Sequence, residues 1–303
     1  VSAGTSSYSQ GKGGNLTVVA RDSIELSGTS PDKGFLSSLI SSTNGTGDAG
    51  DLKIETPKLS IQNQARISAA NFGRGNAGKI DISTNSLLLT NDAEILNETR
   101  GGGNAGDITI NTEFLSMNKS ELLTYTRGEG NSGFITINAG DIQMNNNSVI
   151  NSGIRPGGVG KGGDINIQTN SLSLLNGSQI NSFIFKQEID NQGNIIPGGN
   201  GDVGNLKITA ADKIIIAGMN ENGFSSAFFT FAERGTVGSP GDISVETDNL
   251  QITDGGIIGA STSNASDGGD IFINTKNFEA TNGGLVVSAT RNSGDAGTIN
   301  FIY

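Results

Sequence analysis

The chain has 303 residues, a formal net charge of −11 and 46 glycines against 5 prolines, with no cysteine, histidine or tryptophan. Without cysteine there is no disulfide framework, thiolate nucleophile or Cys-based metal site, and the acidic balance disfavours nucleic acid and anionic membranes, which call for clustered Lys and Arg. Only 34% of residues are hydrophobic, enough for a continuous but thin core, and no apolar run approaches the ~20 residues of a membrane span.

No signal peptide opens the chain, and Val1 stands in a Ser/Gly-rich stretch, as expected of a processed or excised fragment. From there a repeat runs to the end. Its anchor is a glycine before a pair of aliphatics, at Gly14, Gly50, Gly78, Gly106, Gly133, Gly163, Gly204, Gly241, Gly269 and Gly297, with a base period of about 28 residues. The first unit carries Ile24/Leu26 in its second strand and an insertion at about 28–36. The next units read as three short strands each: Leu52/Ile54, Leu59/Ile61 and Ile67/Ala69, then Ile80/Ile82, Leu87/Leu89 and Ile95/Asn97. Units four to six continue with Ile108/Ile110, Ile135/Ile137 and Ile165/Ile167 as first-strand pairs, and the sixth ends in an insertion at about 185–203. The seventh, with Leu206/Ile208 and Ile214/Ile216, carries another at about 217–226. Units eight and nine return to the base period, and the tenth, "GTINFIY", is a first strand alone.

Period-2 alternation marks strands with one buried face, and no 3.6-residue period is sustained anywhere. A repeat of this length means that each unit buries its apolar face on its neighbours. The fold expected is therefore all-β: a single β-solenoid over 1–303, a right-handed parallel β-helix of about ten coils with three short strands per coil. Phrases such as "GGGNAGDITINT" supply a corner and a strand, the glycines serving dihedrals that other residues resist. Neither end carries a cap, so the array is expected to continue in a parent protein or to meet other chains there.

The units "GNAGDITINT…LSM", "DSIELSGTSPDKGF…GTGDAGDLKIET" and "QARISAANFGRGNAG" resemble the repeat region of filamentous-haemagglutinin-type exoproteins, in the large form common in cyanobacteria. The resemblance covers nearly the whole chain. It implies a rod exported by two-partner secretion, located outside the cell or on the bacterial surface, and used in adhesion or as matrix. The family's export domain, with its Asn-Pro-Asn-type motifs, has no counterpart here, so the export route rests on the resemblance alone.

Candidate sites are few. Asp242 and Asp270 follow anchor glycines one coil apart, where a Ca²⁺ would relieve their repulsion, although exposure to water is the cheaper solution. Glu94 and Glu121 lie one coil apart on the outward side of strand three, near the carboxylate spacing of retaining glycosidases. Arg66 in the same column points instead to a charge ladder. The strongest departure from the repeat is aromatic: Phe183 and Phe231 face outward by parity, with Phe185 and Phe229 nearby, and two insertions beside them. Loops on a rigid scaffold are where function usually lives; the insertions are expected to fold over the rings as a satellite core, the alternative being an exposed binding patch. The function expected is a non-enzymatic structural or adhesive rod segment of a secreted bacterial exoprotein, without catalytic residues or cofactor. Its partners would be neighbouring repeats of the same or identical chains and a cell-surface glycan or protein. The alternatives are a self-assembling extracellular fibre subunit and a polysaccharide-acting β-helix enzyme.

Overall fold

Each unit hides its aliphatics by lying on the unit before it. The computed structural model describes residues 1–5, 9–32 and 34–302, and every regular element among them is a strand. Ten first strands, from Leu16–Val19 to Ile299–Ile302, stack in chain order in one sheet, and nine third strands, from Ser38–Ile40 to Leu285–Val287, stack in another. All pairings along both stacks are parallel. The fold is a parallel β-helix of about nine turns, the tenth unit contributing its first strand. At the usual strand spacing its length is roughly 43 Å.

The expected register is observed. Ile82, Ile110 and Ile137 are consecutive partners in one buried column, and Leu89, Met117 and Met144 in another. With the third-strand column of Ile95, Leu122, Ile150, Ile180, Phe228 and Ile258 they form one continuous core. Hydroxyls in the inward column beside it are satisfied locally. Thr124 Oγ1 and Ser152 Oγ donate to the carbonyl of Gly133, and Thr230 Oγ1 to that of Gly241, which ties strand three to an anchor glycine.

Three details differ from the sequence reading. Strands one and two are separate only in the first three coils. From Ile108–Asn118 onward they run as one bent strand of ten to twelve residues. In the sixth coil a buried hydroxyl spans the bend: Thr169 Oγ1 shares its proton between the carbonyls of Gly140 in the preceding coil and Ser171 beyond the corner, whereas alanine stands at this position in the coils on either side. In the second coil Pro57, which lacks an N–H, sits at this corner, where the strand is interrupted.

The anchor glycines, secondly, serve proximity rather than unusual dihedrals. None from Gly50 to Gly297 has positive φ. A Cβ on Gly106 would instead strike the carbonyl of Gly78, the anchor below it, and the same clash recurs up the column. Positive φ falls elsewhere, at the corner between strands two and three, where Asn63, Asn91, Asn146, Asn176 and Asn282 adopt φ of 48–55°. Asn tolerates that region better than most residues.

Thirdly, the polar letters of "GNAGD" cap the stack. Asn76 Oδ1 accepts the backbone N–H of Asn104, and Asn104 Oδ1 that of Asn131, at 2.9 and 2.8 Å. Two positions beyond each alanine, Asp51 Oδ1 accepts from Lys79 N and Asp107 Oδ1 from Phe134 N. Each side chain thus satisfies the amide directly above it, which an exposed corner would otherwise leave to water.

Candidate binding face

The repeat consumes the residues that could have looked like sites. Asp242 Oδ1 accepts the N–H of Asp270 at 2.8 Å, and Asp270 Oδ1 that of Thr298 at 2.6 Å. The pair that was a candidate for Ca²⁺ belongs to the backbone ladder. No group of three or more Asp, Glu, His or Cys suited to a metal occurs among the described residues.

The outer face of the third-strand sheet differs in what it gathers: buried or half-buried charges and aromatic rings in contact with one another. Glu94 and Glu121 are partners across adjacent coils, as parity requires. Arg66 Nη2 lies 2.5 Å from Glu94 Oε2. Burial pushes the Glu94 carboxyl above its ordinary range; Arg66 opposes that shift and the charge of Glu121 adds to it. Four residues beyond Glu94, Glu98 is almost fully buried and receives both Nε and Nη2 of Arg100, at 3.0 and 2.8 Å, while Arg127 Nε lies 3.5 Å from its other oxygen.

Arg155 is one coil further on. Its guanidinium is sandwiched between the rings of Tyr125 and Phe185, 4.3 Å from each centroid, and Nη2 donates to Tyr125 Oη at 3.0 Å. Cation–π attraction over two ring faces holds the charge where water has limited access. Burial pushes the Tyr125 hydroxyl up to about 12, with Arg155 pulling the other way.

The four phenylalanines come together beyond this point. Phe183 meets Phe185, Phe229 and Phe231 edge-to-face at centroid distances of 5.6, 5.9 and 6.0 Å. Phe229 and Phe231 lie 5.5 Å apart. Phe228 and Ile180 point inward, so the outward assignment of Phe183 and Phe231 agrees with the register. Gly259 makes room for Phe229 rather than for Phe231, whose partner on that coil is Ser261. Gly153 is needed because the backbone of Phe183 passes too close for a Cβ.

The insertions stand at the two ends of this face. After strand three of the sixth coil, Glu188–Ile189 and Ile195–Ile196 form an antiparallel hairpin. It is held by Glu188 to Arg127 at 3.3 Å and by the N–H of Gly157 donating to the carbonyl of Pro197 at 2.8 Å. Before strand three of the seventh coil, an antiparallel bridge from Met219 to Ser225 closes a second loop, which Asn220 ties to Asn147. The rings are half-buried, packed chiefly on one another, and not sealed into a satellite core. Beside them Arg155, Asn151, Asn181, Phe183, Phe185, Leu123, Val149 and Glu121 line a cavity of about 170 Å³.

The charged half of this face was missed in the sequence, although a signal existed. "NETRG", "TYTRG" and "SGIRPG" place Arg100, Arg127 and Arg155 at one position of three successive units. No protein-family model matches the chain, and neither a curated protein nor a solved structure matches it.

Proposed function

We propose that the chain is a non-catalytic rod segment of a secreted bacterial surface exoprotein, whose stacked coils present an adhesive face on the third-strand sheet. One observation carries the reading. Polar residues that recur from coil to coil are bonded to the scaffold's own backbone, whereas the third-strand face brings residues that break the repeat into mutual contact, as a cluster of aromatic rings, guanidinium groups and amides. A rigid sheet that displays rings beside polar groups suits a glycan or a partner's apolar side chain.

The test is adhesion by the intact chain. Beads coated with it are expected to attach to bacterial or host cell layers, and attachment should fall when Phe183 and Phe231 are changed to Ser, after correction for the folded fraction. Attachment no better than that of albumin-coated beads would overturn the adhesive reading. Filaments in negative stain, in place of single rods of roughly 43 Å, would favour the fibre reading.

A second reading has one observation in its favour. Glu94, with its carboxyl raised by burial, stands beside a second carboxyl, Glu121, as in a two-carboxylate site. Against it, Arg66 holds Glu94 in an ion pair at 2.5 Å, an arrangement that stabilises the carboxylate rather than a proton donor.

A further inference from the structure

The ion-pair ladder on the third-strand face leaves one cation over. Arg100 and Arg127 share the carboxylate of Glu98, and Arg127 also reaches Glu188. Among the described residues Arg155 has no carboxylate partner: aromatic faces hold it, and its hydrogen bond goes to a neutral tyrosine hydroxyl. The cavity it lines contains a second unsatisfied group. Asn151 is 3% exposed and its amide nitrogen is bonded to Asn181, yet Asn151 Oδ1 has no donor, and Arg155 Nε is likewise buried without an acceptor. Two residues that line the cavity thus each carry a buried polar atom without a partner, which is costly unless something completes it.

We propose that this cavity binds a uronic-acid residue of an acidic polysaccharide, with Arg155 taking the carboxylate, Asn151 and Asn181 the ring hydroxyls, and Phe183 the apolar face of the ring. The proposal rests on the reading of the chain as a non-catalytic rod with a binding face. At about 170 Å³ the cavity is smaller than the roughly 300 Å³ where drug-sized sites begin, so it suits a single ring. A guanidinium offers a carboxylate two parallel N–H donors, and amides serve hydroxyls that both donate and accept. A peptide adding as a strand finds no partner here, because the backbone groups of each third strand are paired with the coils on either side. The residues that line the cavity belong to three adjacent coils of the third-strand sheet and the turns that follow it, which places a bound ring on the side of the rod rather than at an end. The net charge of −11 opposes a polyanion at long range, where beyond about 8 Å it is screened at physiological ionic strength. Within the cavity Glu121 opposes the carboxylate locally, and the comparison of acid with ester reads the balance between it and Arg155.

The experiment is calorimetric titration of the intact chain with a short oligogalacturonate and with its methyl ester, which removes the charge and adds one methyl group per ring. The acid is expected to bind about tenfold more tightly than the ester, the difference made by one charge-assisted hydrogen-bonded pair. Arg155→Gln should bring the two to the same affinity, while Arg155→Lys should keep part of the preference. The acid–ester comparison on the unaltered chain stands even if a variant folds poorly. Equal binding of acid and ester, or a preference that survives Arg155→Gln, overturns the site. So does competition by a Glu-rich peptide or by inorganic phosphate as effective as that of the oligogalacturonate. Sizing the oligosaccharide after the titration separates the two readings: shortened products overturn the non-catalytic rod, whereas intact sugar that does not bind overturns the site alone.

Discussion

The glycines of "GGGNAG" offer a test of why the phrase recurs, because neighbouring glycines in it have different environments. A Cβ on Gly106 would collide with the carbonyl of Gly78 and come within 2.7 Å of Asn97 Nδ2. Neither obstacle can move aside. The carbonyl accepts the bond from that same Asn97 amide, and the chain on both coils is fixed two residues later by the pairing of Ile80 with Ile108. Overpacking against side chains that can repack costs about 1–3 kcal/mol. Here the obstacle is backbone in a stack, so Gly106→Ala should cost about 3 kcal/mol or more. Gly102 lies four residues earlier, has no positive φ, and its nearest neighbour to an added Cβ is 3.8 Å away. Gly102→Ala should therefore be neutral or stabilise by about 0.4–1 kcal/mol through the unfolded chain. Urea unfolding gives both values from the midpoints at unchanged slope, and hydrogen exchange would detect a coil that opens locally. If Gly106→Ala stays within about 0.5 kcal/mol of the parent, or Gly102→Ala costs as much as Gly106→Ala, close stacking is not what these glycines serve.

Four further outcomes are expected. Ile110→Asp, between Ile82 and Ile137 in the buried column, should cost more than about 4 kcal/mol, and Thr109→Asp, outward beside Asp81, less than about 1 kcal/mol; similar melting temperatures for the two would refute the register. Changing Phe183 and Phe231 together to Ser should cost about 2–4 kcal/mol, below the sum for two fully buried rings, because both are half-buried, and a loss under about 0.5 kcal/mol in urea unfolding would mean that the ring contacts contribute nothing. The Tyr125 hydroxyl is raised from 10.0 to about 12 in the folded chain, so as pH climbs through that window the unfolded state loses the proton first. Stability should fall by about 2–3 kcal/mol, and thermal melts of Tyr125→Phe against pH should lack that alkaline loss. Glu94→Gln with Glu121→Gln should leave a panel of polysaccharides with unchanged product profiles on sizing columns; degradation by the parent that the double variant lacks would establish the enzyme reading.

The core was legible because burial on a stack depends on parity alone. Once Ile80/Ile82 and Ile108/Ile110 were aligned, their partnership and that of every aliphatic column followed. The corners were less legible, because a glycine that avoids a carbonyl and one that adopts positive φ are the same letter. Gly106 and Gly103 illustrate this within one phrase: only Gly103 has positive φ, at 110°. Asp242 and Asp270 were read as exposed charges because sequence shows that two carboxylates are stacked, not that each faces the amide above it. The aromatic half of the face was visible because four phenylalanines cluster at two adjacent third strands, where parity turns Phe183 and Phe231 outward. The charged half was not, since Arg155 gains its character from Tyr125, thirty residues earlier, and from Phe185, thirty residues later.

That spacing has a consequence for how such a chain can acquire a site. In a stacked coil an outward residue's nearest neighbours are its own copies, about 4.8 Å above and below, so a column of like residues satisfies itself and offers little to a partner. Asn76, Asn104 and Asn131 do this at the corner. A site requires a column that changes identity part-way along the rod. The position after strand three reads Phe72, Arg100, Arg127, Arg155, Phe185 and Glu233. Within it Arg100 stacks on Phe72 and pairs with Glu98, and Arg127 takes the other side of Glu98 together with Glu188. The next coil carries Gly153 where Glu98 and Tyr125 stood, so the acid ladder ends one arginine too soon. Arg155 is left to lean on rings instead of a carboxylate, and the cavity lies where the charged column gives way to the aromatic one. The reactive character of the face thus comes from a mismatch between two ladders of unequal length, and shifting either by one coil would remove it. Placing a glutamate at Gly153 itself is barred by the close backbone of Phe183, so the surplus cation cannot be neutralised by that simple substitution.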